Sequence, residues 1–117
     1  MSRIHKVRPI LQMEATECGA ASLAMILDYY GKIVPLEQLR RECGVSRNGV
    51  NAKSIVKAAR YHNLETRAVR TSVEGAKSLR TPAIIHWNMD HFLVLCGFDR
   101  DHAVLADPAY GMRKVGM

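Results

Sequence analysis

Gln12-Met13-Glu14-Ala15-Thr16-Glu17-Cys18-Gly19-Ala20-Ala21-Ser22-Leu23-Ala24-Met25-Ile26-Leu27-Asp28-Tyr29-Tyr30-Gly31 is the stretch on which the reading of this chain turns. From Cys18 to Tyr30 it is apolar almost all round, with a thin polar edge at Glu17 and Asp28. That pattern predicts a helix buried on most sides. The cysteine stands at the start of this helix, where free N–H groups and the positive end of the dipole favour a thiolate. Gln12 lies six positions before it. The arrangement suggests a cysteine nucleophile with an oxyanion donor.

Working outward, residues 1 to 15 lack helical periodicity and contain Pro9, so they read as an extended lead-in that can lay Gln12 beside the helix start. Gly31 suits a helix C-cap. Pro35 suits the first turn of a second helix that runs through Leu36, Leu39 and Cys43 to stop at Gly44. Asn48-Gly49 marks a turn, and Asn51 caps a third helix carrying Ile55, Val56, Ala58, Ala59 and Tyr61, which ends at Asn63. Beyond it the period changes. Leu64 to Arg70 reads as a loosely alternating strand, and Thr71-x-x-Glu74 as a capping box for a short helix to Leu79. Pro82 to Trp87, His91 to Phe98, His102 to Ala106 and Met112 to Val115 read as strands between turn residues. Helices first and strands later predict an α+β fold, with N-terminal helices packed on a C-terminal antiparallel sheet.

A cysteine nucleophile needs a base and a group to orient that base. His91 opens the run His91-Phe92-Leu93-Val94-Leu95-Cys96-Gly97-Phe98, and Asp107 closes Ala103-Val104-Leu105-Ala106 just before Pro108. If Asp99-Arg100-Asp101 is a three-residue hairpin loop, Phe98 pairs with His102 and Asp107 falls opposite Leu93, a diagonal neighbour of His91 about 7–8 Å away. A slip of one residue would turn Asp107 to the other face, and a bulge would rescue or ruin the pairing. Among the other histidines, His5 and His62 lie in polar surroundings and His102 follows a turn. His86, beside Trp87, is the reserve candidate for the base. Asp107 has a plain alternative reading too, since Asp-Pro commonly opens a turn. Gly19 either lets a substrate backbone approach the thiol or allows close packing. Trp87, Asn88, Met89 and Asp90 form the loop entering His91.

Leu11-Gln12, Glu17-Cys18-Gly19 and the helix Ala20 to Gly31, followed by His91-Phe92 and Asp107-Pro108, resemble the C39 family of papain-like peptidases. These are N-terminal domains of bacterial ABC transporters that cut leaders from bacteriocin and lanthipeptide precursors after a Gly-Gly pair. The resemblance runs over nearly the whole chain. Gln12 to Cys18 and Cys43 to Gly49 resemble the branch serving modified peptides with long leaders. The resemblance implies a papain-like cysteine protease fold with Cys18 as nucleophile, His91 as base, Asp107 as its orienting carboxylate and Gln12 as a side-chain oxyanion donor beside the Cys18 N–H. It implies no metal or organic cofactor. Its partners would be a leader region and the transmembrane and ATP-binding domains of the same transporter, at the cytoplasmic face of the bacterial membrane. Family domains usually continue past the Asp-Pro element with further strands, so residues 1–117 read as a single C39-like peptidase domain trimmed at its C-terminal end.

Composition agrees with one domain. The chain has 117 residues, 48% of them hydrophobic, enough for one core and too few for two. No apolar run approaches the roughly 18 residues that span a bilayer, and Met1 to Lys6 leads into no signal-peptide core. Three widely spaced cysteines without a Cys-x-x-Cys pair indicate neither a disulfide framework nor a zinc ribbon. Cys43 and Cys96 read as small buried hydrophobes. The net charge of +6 is spread along the chain and selects no partner. Two rivals differ in class. One is a C39-like domain that only binds an export substrate, against which Cys18 argues. The other is a helix-turn-helix over Leu36 to Leu64, but Arg40 is bulky, Lys53 is charged and Asn48-Gly49 interrupts the would-be recognition helix, so no nucleic acid is expected.

Overall fold

The computed structural model describes residues 4–45, 49–87 and 91–116. Within them three helices, α1 (Cys18–Tyr29), α2 (Leu36–Cys43) and α3 (Ala52–Tyr61), precede four strands, β1 (Ala83–Trp87), β2 (His91–Asp99), β3 (His102–Asp107) and β4 (Gly111–Gly116). The strands form one antiparallel meander in the order β1-β2-β3-β4. This is the α+β architecture expected from the change of period near residue 64.

Local chemistry explains the helix ends. A single 3-10 turn, Ala15–Glu17, leads into α1, whose residues from Cys18 to Leu27 are all buried. Pro35 sits at the N-cap of α2, and Gly44 closes it at φ 66°, the left-handed position that glycine adopts most readily. The Asn51 side chain accepts the Ser54 N–H at 2.8 Å and starts α3. Ala20, Leu23, Ala24 and Leu27 of α1 join Leu39, Cys43, Ile55, Ala58 and Ala59 in one core cluster. Met25 and Ile26 join Val94, Cys96, Val104 and Ala106 from the sheet in a second. α1 is therefore the shared wall between the helical layer and the sheet.

The β2–β3 hairpin departs from expectation in an instructive way. Its loop has two residues, Arg100 and Asp101, rather than three, so Asp99 pairs with His102 and Phe98 with Ala103. That register alone would turn Asp107 to the face opposite His91. A bulge between Leu95 and Gly97 restores the count, giving Leu95 opposite Leu105 and Val94 opposite Ala106. One step further along the same register, Asp107 falls opposite Leu93, where it was expected. The lead-in serves this irregularity, because the His5 N–H donates to the Cys96 carbonyl at 2.9 Å.

Two other expectations fail. Leu64 to Arg70 forms no strand: Arg67 to Arg70 are exposed, and the segment joins no ladder of the sheet. A loose alternation of charged and apolar residues offers no face worth burying. The helix expected from Thr71 to Leu79 shrinks to one 3-10 turn, Gly75–Ser78, started by the Ser72 hydroxyl accepting the Gly75 N–H at 3.0 Å. Asn48 of the expected turn and residues 88–90 of the expected loop lie outside the described residues. From Gly44 to Asn51 the connection between α2 and α3 is too long for the 3–4-residue turn of a helix-turn-helix.

Candidate active site

The expected site residues come from three places in the fold: the lead-in, the start of α1, and the ends of β2 and β3 that lie over it. Contacts tie these places together. The Phe92 N–H, one residue along β2 from His91, points at Cys18 Sγ at 3.4 Å. His91 Nε2 donates to Asp107 Oδ1 at 2.7 Å. The Gln12 N–H donates to the carbonyl of Pro108, the residue after Asp107, at 2.8 Å. The Cys18–Phe92, His91–Asp107 and Gln12–Pro108 contacts thus draw the lead-in, the start of α1 and the ends of β2 and β3 together at one end of the sheet, although 95 positions separate Gln12 from Asp107 (107 − 12).

Each group is held in a way that bears on its chemistry. Cys18 is buried at the first turn of α1, and both the helix N-terminus and the Phe92 N–H can support negative charge on its sulfur. His91 commits Nε2 to the carboxylate, which leaves Nδ1 as the ring nitrogen available to a thiol proton. Asp107 is fully buried. Its Oδ1 also accepts the Ala109 N–H at 2.8 Å, and its Oδ2 accepts Arg113 Nη1 at 3.0 Å. Burial alone would raise the Asp107 pKa, but the hydrogen bonds from His91, Ala109 and Arg113 outweigh it and hold the carboxyl below its usual range. It remains an anion beside the imidazole. Gln12 is half-buried, and its Nε2 donates one N–H to the Glu14 carbonyl at 3.0 Å. An amide nitrogen carries two N–H groups, so one remains for an oxyanion.

The rival histidines are otherwise engaged. His86 lies across β1–β2 from Phe92 and stacks on that ring at 4.2 Å. His5 Nδ1 bonds the Tyr29 hydroxyl at 2.6 Å, and His62 Nε2 lies 2.5 Å from Glu42 Oε1. Gly19 settles toward packing, since a Cβ there would stand 2.4 Å from Val50 Cγ1 and 2.9 Å from Ile55 Cδ1.

Three contributors escaped the sequence reading. Glu17, read as part of a polar edge, is fully buried and accepts the Met13 and Glu14 N–H groups while pairing with Arg40. The available signal was the Glu14-x-x-Glu17 spacing of a capping box, in which the later carboxylate accepts the earlier backbone N–H. Arg113 falls in the expected Met112 to Val115 strand, and nothing local distinguishes it from Lys114. The Phe92 amide carries no side-chain signal at all.

The chain matches the profile described as the peptidase C39 family over residues 6–117. It is 40% identical over 95% of its length to the probable microcin-H47 secretion/processing ATP-binding protein of Escherichia coli. Identity is 39% over 94% of its length to the colicin V secretion/processing ATP-binding protein of the same organism. In both comparisons the chain spans 16% of the relative's length. Among solved structures it superposes with TM-score 0.94 on a double glycine motif protease from an AMS/PCAT transporter, crystallised in complex with the leader peptide. That match has 54% identity and covers 97% of this chain and 82% of that one. The helical layer on an antiparallel sheet is therefore the papain-like fold of such peptidase domains. A profile match across so much of the sequence, repeated in a solved structure at more than half identity, means that the chain belongs to the peptidase C39 family.

Proposed function

We propose that residues 1–117 form one cysteine endopeptidase domain that removes the leader from a bacteriocin or lanthipeptide precursor after a Gly-Gly pair. In this reading it works as part of an export transporter, at the cytoplasmic face of the bacterial membrane, with the precursor's leader and the transporter's other domains as partners. The observation that carries the reading is the His91–Asp107 hydrogen bond at 2.7 Å beside a Cys18 sulfur that accepts the neighbouring Phe92 N–H. The relatives' printed roles in secretion and processing, and the double glycine motif protease at 54% identity, support the substrate class.

The chemistry proceeds in two halves. His91 Nδ1 takes the Cys18 proton, and the sulfur attacks the carbonyl carbon of the second glycine. The tetrahedral oxyanion accepts hydrogen bonds from the Cys18 N–H and the free Gln12 Nε2–H. On collapse the C–N bond breaks, and His91 gives its proton to the departing amine of the core peptide. Water, deprotonated by His91, then opens the thioester and releases the leader as a carboxylate. Asp107 holds the imidazole in the Nε2–H tautomer and supports the imidazolium throughout. Glycine preference before the cut follows if the groove beside Cys18 is too narrow for a β-carbon.

Incubating the chain with a Gly-Gly precursor and weighing the products by mass spectrometry tests this. The expected result is a core peptide that begins directly after the second glycine, and no product with Cys18→Ala. Cleavage by the alanine variant at an undiminished rate would remove the nucleophile. A precursor bound but left intact by the wild-type chain would favour a binding module instead.

A further inference from the structure

The lead-in that carries Gln12 is irregular, and irregular backbone does not by itself hold a side-chain amide in one place. A buried carboxylate does so here. Glu17 Oε2 accepts the Met13 N–H at 2.8 Å and the Glu14 N–H at 3.2 Å. Glu17 Oε1 lies 2.8 Å from Arg40 Nε, which reaches over from α2 with a partly exposed side chain. Glu14, held at its N–H, turns its carbonyl to Gln12 Nε2 at 3.0 Å. Arg40, Glu17, the Glu14 backbone and Gln12 form one continuous line of contacts ending at the amide.

Packing alone does not account for a carboxylate there. Glu17 is fully buried, and a buried charge is costly unless its partners are held in good geometry. An apolar residue would fill the same space at the head of an apolar helix without that cost. What the carboxylate adds is a fixed position for residues 13 and 14, and through the Glu14 carbonyl a fixed direction for one Gln12 N–H. With that N–H anchored, the second has a defined direction.

We propose that Glu17, with Arg40 as its ion-pair partner, is a positioning residue that orients the Gln12 amide toward the oxyanion. The inference rests on Gln12 acting as the oxyanion donor. Glu17 and Arg40 touch no reacting atom; they act through the Glu14 backbone on the group that does. Misplacement of such a group by about an ångström costs up to about a hundredfold in rate.

The test is a double-mutant cycle on the full chain with a Gly-Gly precursor, measuring kcat, KM and thermal midpoint for wild type, Gln12→Ala, Glu17→Gln and the double variant. Gln12→Ala should lower kcat by about 10²–10³-fold, as expected for one oxyanion donor. Glu17→Gln should lower kcat roughly ten- to a hundredfold with KM within about twofold of wild type. In the Gln12→Ala background it should cost almost nothing more, because the group it serves is gone. If the two losses multiply, or if Glu17→Gln loses no activity, the positioning role is overturned while the oxyanion role of Gln12 stands. Full activity in Gln12→Ala would instead remove the oxyanion role, and the positioning role with it. Should Glu17→Gln not fold, Arg40→Met takes its place; it leaves the buried Glu17 charge without its ion-pair partner and so lowers the thermal midpoint, and the same pattern in kcat is expected of it.

Discussion

At the residue scale, the site divides labour between one buried anion and several donors. Asp107 serves His91 through Oδ1 and Arg113 through Oδ2, and the Ala109 N–H closes the set. Replacing it with Asn keeps a side chain of the same shape but removes the charge that supports an imidazolium and leaves Arg113 without its anion. We expect Asp107→Asn to retain a folded domain and lose kcat by about ten- to a hundredfold, less than the 10²–10⁴ that general acid–base catalysis supplies. Asp107→Ala, which also frees the ring to rotate, should lose more. Steady-state kinetics on the two variants decides this, and equal losses would mean that charge and orientation are not separable here. Cys18, His91, Asp107 and Gln12 were all singled out as candidates beforehand because each sits in a motif with its own local signal. Glu17 was not, since whether a carboxylate beside a helix faces water or the interior depends on Arg40 and on the path of the lead-in.

At the scale of elements, α1 and β2 do most of the placing. The N-terminal turn of α1 packs so closely against Val50, which precedes α3, and against Ile55 of α3 that Gly19 has no room for a methyl group. Gly19→Ala should therefore destabilise the domain by about 1–3 kcal/mol through overpacking, measurable by urea unfolding. Adding Val50→Ala should recover part of the loss, and an unchanged midpoint for Gly19→Ala would contradict the close packing. The β2–β3 hairpin shows where local reading stops. Arg100 takes φ 56°, a conformation that sequence patterns assign to Gly, Asn or Asp, so a two-residue loop was not the expected choice. The bulge at Cys96 reverses the consequence of that error, with Gly97 at φ 151° accommodating the irregular backbone. Asp107 met His91 as predicted, but through a different register path from the one proposed.

At the scale of the whole molecule, burial of two unused thiols couples stability to pH. Desolvation pushes both Cys43 and Cys96 up to about 11, the first helped by the nearby Glu42 charge. A folded-state pKa raised above the unfolded value contributes stability that is complete below about pH 8.5 and is lost as pH rises toward 11. Each thiol accounts for about 3–4 kcal/mol of that loss at roughly 1.4 kcal/mol per unit. Denaturant titrations from pH 7 to 11 should show the decline, and Cys96→Ala, less stable throughout, should show a shallower one; an identical slope would count against it. Asp107 acts in the opposite sense: its pKa is lowered, so its contribution is present above about pH 4 and lost in acid. The amino-acid sequence by itself determined the order of helices and strands, the caps that bound them and the choice of Cys18, His91, Asp107 and Gln12 as candidate site residues. All of these are written in periodicity, capping residues and motifs read over a few neighbouring positions. Only the tertiary structure decided the β2–β3 register, the inward turn of Glu17, the recruitment of Arg40 and Arg113, and the failure of residues 64–70 to join the sheet. Each of those outcomes is set by a partner far along the chain, and the energy of a buried charge or an unpaired strand is undefined until that partner arrives.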